Sequence, residues 1–299
     1  MNKIEKLRKI CKWVQNIGMA VILIGGFAAT YFLGVKNESE NSLFVTITIC
    51  MAMIAILFAF SLFVSVPLQN KLLTTVVLES LEGLVSNVEF NKKKGYNKES
   101  FVKLGLVNKD FEKYACVDYY SFDYNGMNIE SCTVKAYDEH KIPKQKGQKG
   151  SKVRKKTETH FLGRIYIVPL EMNTRFNVFG KKYSSISRKK QMANHEFNNE
   201  LTFKAKKYSD NFELFYGEEK PSINVNDFMD RLMALKIQSK GVISMFVRNK
   251  SFVLCVDNNR CYEEVDLKNP FNENILKGYR RDVSVVLNFI SSIANLEEK

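Results

Sequence analysis

Two long apolar runs dominate the first quarter of the chain. Ile17 to Val35, IGMAVILIGGFAATYFLGV, holds 19 residues without a charge. At about 1.5 Å per helical residue, that nearly matches the roughly 30 Å hydrocarbon core of a bilayer. Leu43 to Leu68 adds 26 uncharged residues, enough to cross with tilt. The polar KNESENS, Lys36 to Ser42, separates them. The pattern predicts a two-helix transmembrane hairpin over 17–68 with KNESENS at its tip. A cleaved signal peptide does not fit, because the first run exceeds a typical h-region and no small-residue cleavage site follows it.

Lys3, Lys6, Arg8, Lys9 and Lys12 make residues 1–16 a basic tail, whereas Lys36 is the one basic residue between the runs. The positive-inside rule therefore places the N-terminus in the cytoplasm, and two crossings return the rest of the chain there. The expected location is the inner (plasma) membrane, multi-pass, with both termini cytoplasmic. Neither run holds an Asp, Glu, Lys, Arg or His, the usual mark of an ion path or proton relay, so the hairpin reads as an anchor. Gly18, Gly26, Thr30 and Gly34 share a four-residue stripe, and Ala52, Ala55 and Ala59 lie near one face of the second run. Small residues of this kind let helix backbones approach, within the hairpin or in a homo-oligomer.

Beyond the runs, residues 69–110 read as a juxtamembrane helical segment. Leu72, Leu73, Val76, Val77, Leu81, Leu84 and Val88 give three-to-four spacing from Asn70 to Val88, with Pro67 as a kink, and Asn97 caps a short helix from Lys98 to Leu106. From 111 onward an α+β domain is expected. Tyr114 to Glu139 is rich in strand formers, and the Asn125-Gly126 pair inside it predicts a hairpin. Phe161, Gly163, Ile165 and Ile167 alternate with Leu162, Arg164, Tyr166 and Val168 in a third strand, and Leu201 to Tyr208 is a candidate fourth. The last hundred residues predict a helix from Ile223 to Gln238 capped by Asn224 or Asn226 and closed by Gly241. A hairpin around Asn249-Lys250 and a helix from Asn272 follow. In that helix Leu276, Tyr279, Val283, Val286, Ile290 and Ile293 form a heptad-like seam, read as a core stripe rather than a partner surface.

The net charge of +13 adds little by itself, since Lys greatly outnumbers Arg, a bias that an AT-rich genome produces without selection for binding. One local cluster matters more. Residues 139–159 read as a basic loop carrying Lys141, Lys144, Lys146, Lys149, Lys152, Arg154, Lys155 and Lys156. Such a run is a solvated loop or a clamp on anionic lipid headgroups. Nucleic acid is disfavoured, because the loop lacks the aromatic residues on which single strands stack.

Candidate chemistry is sparse. The six cysteines show no C-x-x-C pair and read as free thiols. Cys255 and Cys261 with His195 match no zinc spacing, so no metal or other cofactor is expected. There is no phosphate-binding loop, G-x-S-x-G or H-E-x-x-H. Glu218-Glu219 and Glu263-Glu264 read as solvated surface. A spatial pair such as Cys132 with His160 keeps an unrecognised hydrolase as an alternative.

Several stretches carry a resemblance: GYNKESFVKLGLV, VDYYSFDYNGMNIESCTVKAYDE, FLGRIYIVP with FNVFGKK, HEFNNELTFKAKKYSDNFELFY, VNDFMDRLMAL, GVISMFVRNKSFVLCV and NPF. With the two leading spans, they resemble the bacterial membrane family with the domain of unknown function numbered 3137. The lysine-rich insertion departs from the family pattern. The resemblance assigns no catalytic or ligand-binding residues, but it implies association with small membrane-anchored helical proteins of the LemA type. The expectation is therefore an α+β protein with a transmembrane hairpin, whose cytoplasmic domain binds a protein partner without catalysing a reaction. An anionic-lipid-contacting surface is the alternative, and membrane lipids are partners in either case.

Overall fold

The computed structural model describes residues 2–35, 42–91, 94–107, 111–141, 155–183, 196–248, 250–260 and 273–297. The chain divides into two compact units, Met1–Ser80 with Glu264–Gly278, and Leu81–Glu263 with Tyr279–Lys299.

The first unit is built on helices α1 (Asn2–Ala29), α2 (Ser42–Phe60) and α3 (Val66–Leu81). A π-helical turn, Thr30–Val35, prolongs α1, and another, Ser61–Ser65, joins α2 to α3 without a break. Just ahead of Pro67 the helix widens, and the Val66 N–H donates to Ser61 O, five residues back. A proline ring clashes with the carbonyl four residues earlier, and one wide turn relieves that clash. Among the described residues two helices are long and apolar enough to cross a membrane, Lys3–Phe32 and Phe44–Leu81, with mean hydropathy 1.5 and 2.7 over an 18-residue stretch of each. They run antiparallel: a Cβ on Gly18 would strike Phe60, and one on Gly26 would strike Met53. Farther along, Ile4 and Cys11 bury against Leu72 and Val76.

The second unit is an α+β fold around one nine-stranded antiparallel sheet, ordered β1-β2-β3-β4-β9-β8-β5-β7-β6. Its strands are β1 (Ser86–Phe90), β2 (Lys113–Tyr124), β3 (Met127–Lys141), β4 (Lys155–Val168), β5 (Phe176–Gly180), β6 (Asn199–Leu201), β7 (Phe212–Tyr216), β8 (Val242–Arg248) and β9 (Ser251–Asp257). The helices are α4 (Lys98–Lys103), α5 (Lys206–Ser209), α6 (Val225–Ser239) and α7 (Glu273–Glu297), the last of which starts in the residues of the first unit. On one sheet face Phe176 meets Phe228 of α6, and Tyr120 hydrogen-bonds Tyr279 of α7. Arg231 ties the two helices by donating to Ser292 O (2.5 Å). The opposite face buries Phe101, Phe161, Ile165, Phe179, Phe215 and Phe246 in one cluster. The seam residues Tyr279, Val283, Val286, Ile290 and Ile293 are all buried, so the heptad-like spacing is a core stripe.

Several local expectations hold. Asn125 and Gly126 both have positive φ (50° and 77°) between paired Tyr124 and Met127, as a tight hairpin demands. Asn97 and Asn224 cap their helices, accepting from Ser100 N (2.7 Å) and Asp227 N (3.4 Å). Other expectations are corrected. The juxtamembrane helix stops at Leu81, because Gly83 turns left-handed (φ 70°), and the stretch holding Val88 pairs with β2 as an edge strand. Leu201–Tyr208 is not a strand: β6 ends at Leu201 and α5 follows. The longer strands before and after this stretch are β5 and β7, buried on both faces and so without the alternation that marks a half-exposed strand. Lys240, not Gly241, takes the left-handed position after α6 (φ 54°), while Gly241 admits the Asp257 carbonyl to 3.0 Å from where a Cβ would sit.

Candidate functional site

Of the basic cluster, Lys144, Lys146, Lys149, Lys152 and Arg154 lie outside the described residues. Lys141 and Lys155 are paired strand residues at the ends of β3 and β4, and Lys156 is exposed opposite His140. The predicted loop over 139–159 is thus partly sheet. Pairing of β3 with β4 continues past Tyr137, where β2 ends, and past Gly163, where β9 ends, forming a two-stranded arm. The arm's residues are polar on both faces, so no apolar period announced it. Cross-strand pairs support it instead: His160 Nε2 to Asp138 Oδ2 at 2.7 Å and Lys113 Nζ to Glu139 Oε2 at 2.7 Å. The Glu112 N–H and then His160 hold the Asp138 carboxyl below its usual range.

The small residues of the first unit separate. Gly18 and Gly26 meet the second helix, and Thr30 Oγ1 donates to its own helix at Gly26 O (2.9 Å). Gly34 falls in the π-helical turn. Ala52 and Ala55 are exposed and Ala59 is half-buried, whereas Met53 and Phe60 are the residues that stand against Gly26 and Gly18.

The sheet face under α7 holds a buried polar cluster. Arg164 on β4 pairs with Asp118 on β2 and donates to Tyr120 Oη (2.7 Å), Thr133 Oγ1 (3.0 Å) and Ser131 Oγ (3.3 Å). Its guanidinium also lies 4.8 Å from the Tyr279 ring centroid and 5.3 Å from that of Tyr120. Asp118 reaches this position through a bulge in β2, where its φ is 51°, and it accepts from Thr133 N at 2.7 Å. Burial works against the Arg164 charge, but Asp118 and the surrounding phenols outweigh it and hold the guanidinium protonated. Burial pushes Tyr120 up to about 12 against the opposing pull of Arg164, and lifts Tyr166 and Tyr279 well above the usual phenol range.

That cluster sets an alkaline limit. Unfolded phenols titrate near 10, and these fold with raised values. The contribution of Tyr120 to stability is complete below about pH 10 and is lost as pH rises from there through about 12. An absorbance titration at the tyrosinate band should show a delayed fraction of phenols that ionises only as near-ultraviolet dichroism collapses. Complete ionisation of all 13 tyrosines with the fold intact would refute this.

Cys132 and Cys255 are buried in the core, and both are pushed above the ordinary thiol range, Cys132 by its neighbour Cys116 and then by burial, Cys255 by burial. His160 stays on the arm with Asp138, while Cys132 pairs with Ile165 farther along β4, so the structure does not bring Cys132 and His160 together. Cys261 and His195 lie outside the described residues, among which no group of three metal-ligating side chains occurs.

A cavity of about 470 Å³ opens at the far side of the sheet, between the chain leading into β5, the chain leading into β6 and the turn after β7. Its wall includes Thr174, Arg175 and Phe197, and its rim carries Glu196, Glu218, Glu219 and Lys220. Arg175 forms an ion pair with Glu196, and the guanidinia of Arg248 and Arg175 lie 4.7 and 5.6 Å from the centroid of the Phe197 ring. Asn199 Nδ2 donates to Gly217 O (2.6 Å), and Gly217 lets the Glu196 carbonyl approach to 2.8 Å from where a Cβ would stand. Sequence reasoning passed over this site, because its residues come from three distant segments and Glu218-Glu219 read as plain surface. A scan of protein-family models, a search of curated proteins and a search of solved structures each return no match for this chain.

Proposed function

We propose that the protein is a two-span membrane protein whose hairpin anchors an α+β domain at the cytoplasmic face, where that domain binds a protein partner. The observation that carries the anchor is the outward surface of α1, α2 and the π-helical turn that follows α2. Val21, Ile24, Phe27, Phe44, Phe58 and Phe63 are 63 to 78% exposed there. A continuous belt of large apolar side chains is unfavourable in water, and a hydrocarbon core removes the penalty. The basic residues before Ile17 favour a cytoplasmic N-terminus. Because the spans lack ionisable side chains, the activity is assigned to the domain, and the family resemblance favours a membrane-anchored helical partner.

Carbonate extraction should leave the full chain in the membrane pellet. A membrane-impermeant maleimide on intact cells should label Asn37→Cys but not Asn259→Cys. Release by carbonate, or labelling of Asn259→Cys, would overturn the anchored topology. Photo-crosslinking in cells from positions after Leu68 should then capture one reproducible protein. A second reading is favoured by the β3–β4 arm, which extends past its neighbouring strands toward the lysine-rich segment. Phospholipid adducts clustered at Lys141–Lys156, without a protein partner, would replace protein binding by contact with anionic lipid.

A further inference from the structure

The outward face of α1 changes character at one level. Phe27, Ile24 and Ile17 are 71, 68 and 41% exposed, and Trp13 follows on the same side at 64%. Lys9 and Lys6 come next, both exposed. Spacings of three, four and seven residues keep these positions on one side of a helix, so an apolar line ends in an indole and then in two ammonium groups. The second helix changes at the same level. Leu62, Phe63 and Val66 are 47, 78 and 41% exposed, and Lys71 is the first charge that follows them. Between the helices, Gln15 Nε2 donates to the Ser65 hydroxyl, so the polar boundary also crosses the inside of the hairpin. Beyond it Ile4, Cys11, Leu72 and Val76 form a small core of their own, which lets the pair continue into water as a stalk.

Resting on the anchored topology above, we propose that this level is the inner headgroup layer, with the Trp13 ring lying in it and Lys6 and Lys9 binding the phosphates of anionic phospholipid. From Val35 to Trp13 the helix runs about 33 Å at 1.5 Å per residue, the depth of one hydrocarbon core. Indole suits that layer, because its ring is apolar and its N–H needs a polar partner. Lysine stems can lie along the apolar line while their ammonium groups reach the phosphates. The face is continuous with the belt that acyl chains cover, and its charge is opposite to that of the cytoplasmic leaflet. Both arguments select lipid over a protein partner here.

The test uses the full chain reconstituted in phosphatidylcholine vesicles. Trp13 is the one tryptophan of the chain, so its fluorescence reports this level alone. Lipid brominated near the carbonyl end of the acyl chain should quench it more than lipid brominated near the methyl end, and aqueous iodide should quench it weakly. At equal mole fraction, brominated phosphatidylglycerol should quench better than brominated phosphatidylcholine, and added salt should shrink the difference. Lys6→Gln with Lys9→Gln should cut that preference about fivefold and leave the depth of Trp13 unchanged. A chain that stays in carbonate-washed membranes, with Trp13 quenched best from the methyl end or by iodide alone, would overturn the boundary while leaving the anchor in place. Equal quenching by the two headgroups, or a preference that survives the double substitution, would overturn the lysine contact. Failure of the anchor itself looks different: carbonate releases the chain and no brominated lipid quenches Trp13, which would remove both readings.

Discussion

Arg164→Leu should be the most damaging single change in the sheet, lowering stability by about 3–5 kcal/mol, the range for breaking one side of a buried ion pair. For a domain of this size that corresponds to a fall in melting temperature on the order of 10 °C. The reason is what the substitution leaves behind. The Asp118 carboxylate has a fully buried side chain, and its remaining named contacts are the Thr133 N–H and hydroxyl. Tyr120 and Ser131 also lose their shared donor. Replacing both charged partners should be milder. Asn at 118 keeps an acceptor for Thr133 N and tolerates the left-handed backbone found there (φ 51°). Asp118→Asn with Arg164→Met should therefore recover most of the loss, giving a strongly non-additive cycle. Urea denaturation followed by the tyrosine near-ultraviolet signal measures all four corners. Additive effects would mean that the two residues do not act as a pair.

The second large effect is expected from a single methyl group. A Cβ on Gly163 would collide with Val256 O and stand 2.7 Å from Asp257 Cα. Both are backbone atoms of β9, so no side chain can rotate away. Gly163 sits where β4 first pairs with β9 while still paired with Val134 of β3. Gly163→Ala must push β9 outward or slide the register, and about 1–3 kcal/mol is the ordinary penalty for such overpacking. Gly25→Ala is the control, since nothing lies within 4 Å of its added methyl and alanine is the better helix former. A midpoint for Gly163→Ala no lower than that of Gly25→Ala would contradict the close approach of β4 and β9.

These two positions show what could and could not be read in advance. The alternation from Phe161 to Val168 put Gly163 and Arg164 on opposite faces of a strand. It did not say that the Arg164 face would be covered by a helix from the far end of the chain, or that an aspartate would bulge out of β2 to meet the guanidinium. The same limit applies to β5 and β7. A strand covered on both faces has no polar alternation, so its apolar run carries no period to read. The polar arm of β3 and β4 failed for the opposite reason, having no apolar face at all. The cavity was least legible of all, since Thr174, Phe197 and Glu218 belong to three segments with no shared motif.

The chain's linear pattern by itself determined the two apolar helices, the asparagine caps, the Asn125-Gly126 turn and the buried seam of the last helix. Each depends on residues within a few positions of one another, where backbone geometry and solvent exposure act locally. Tertiary structure alone decided the nine-strand order, the Asp118–Arg164 pair, which glycines of the small-residue stripe meet a partner helix, and the charged cleft between three distant segments. Those depend on which distant segments exclude water from one another, a property of the packed sheet that no local spacing encodes.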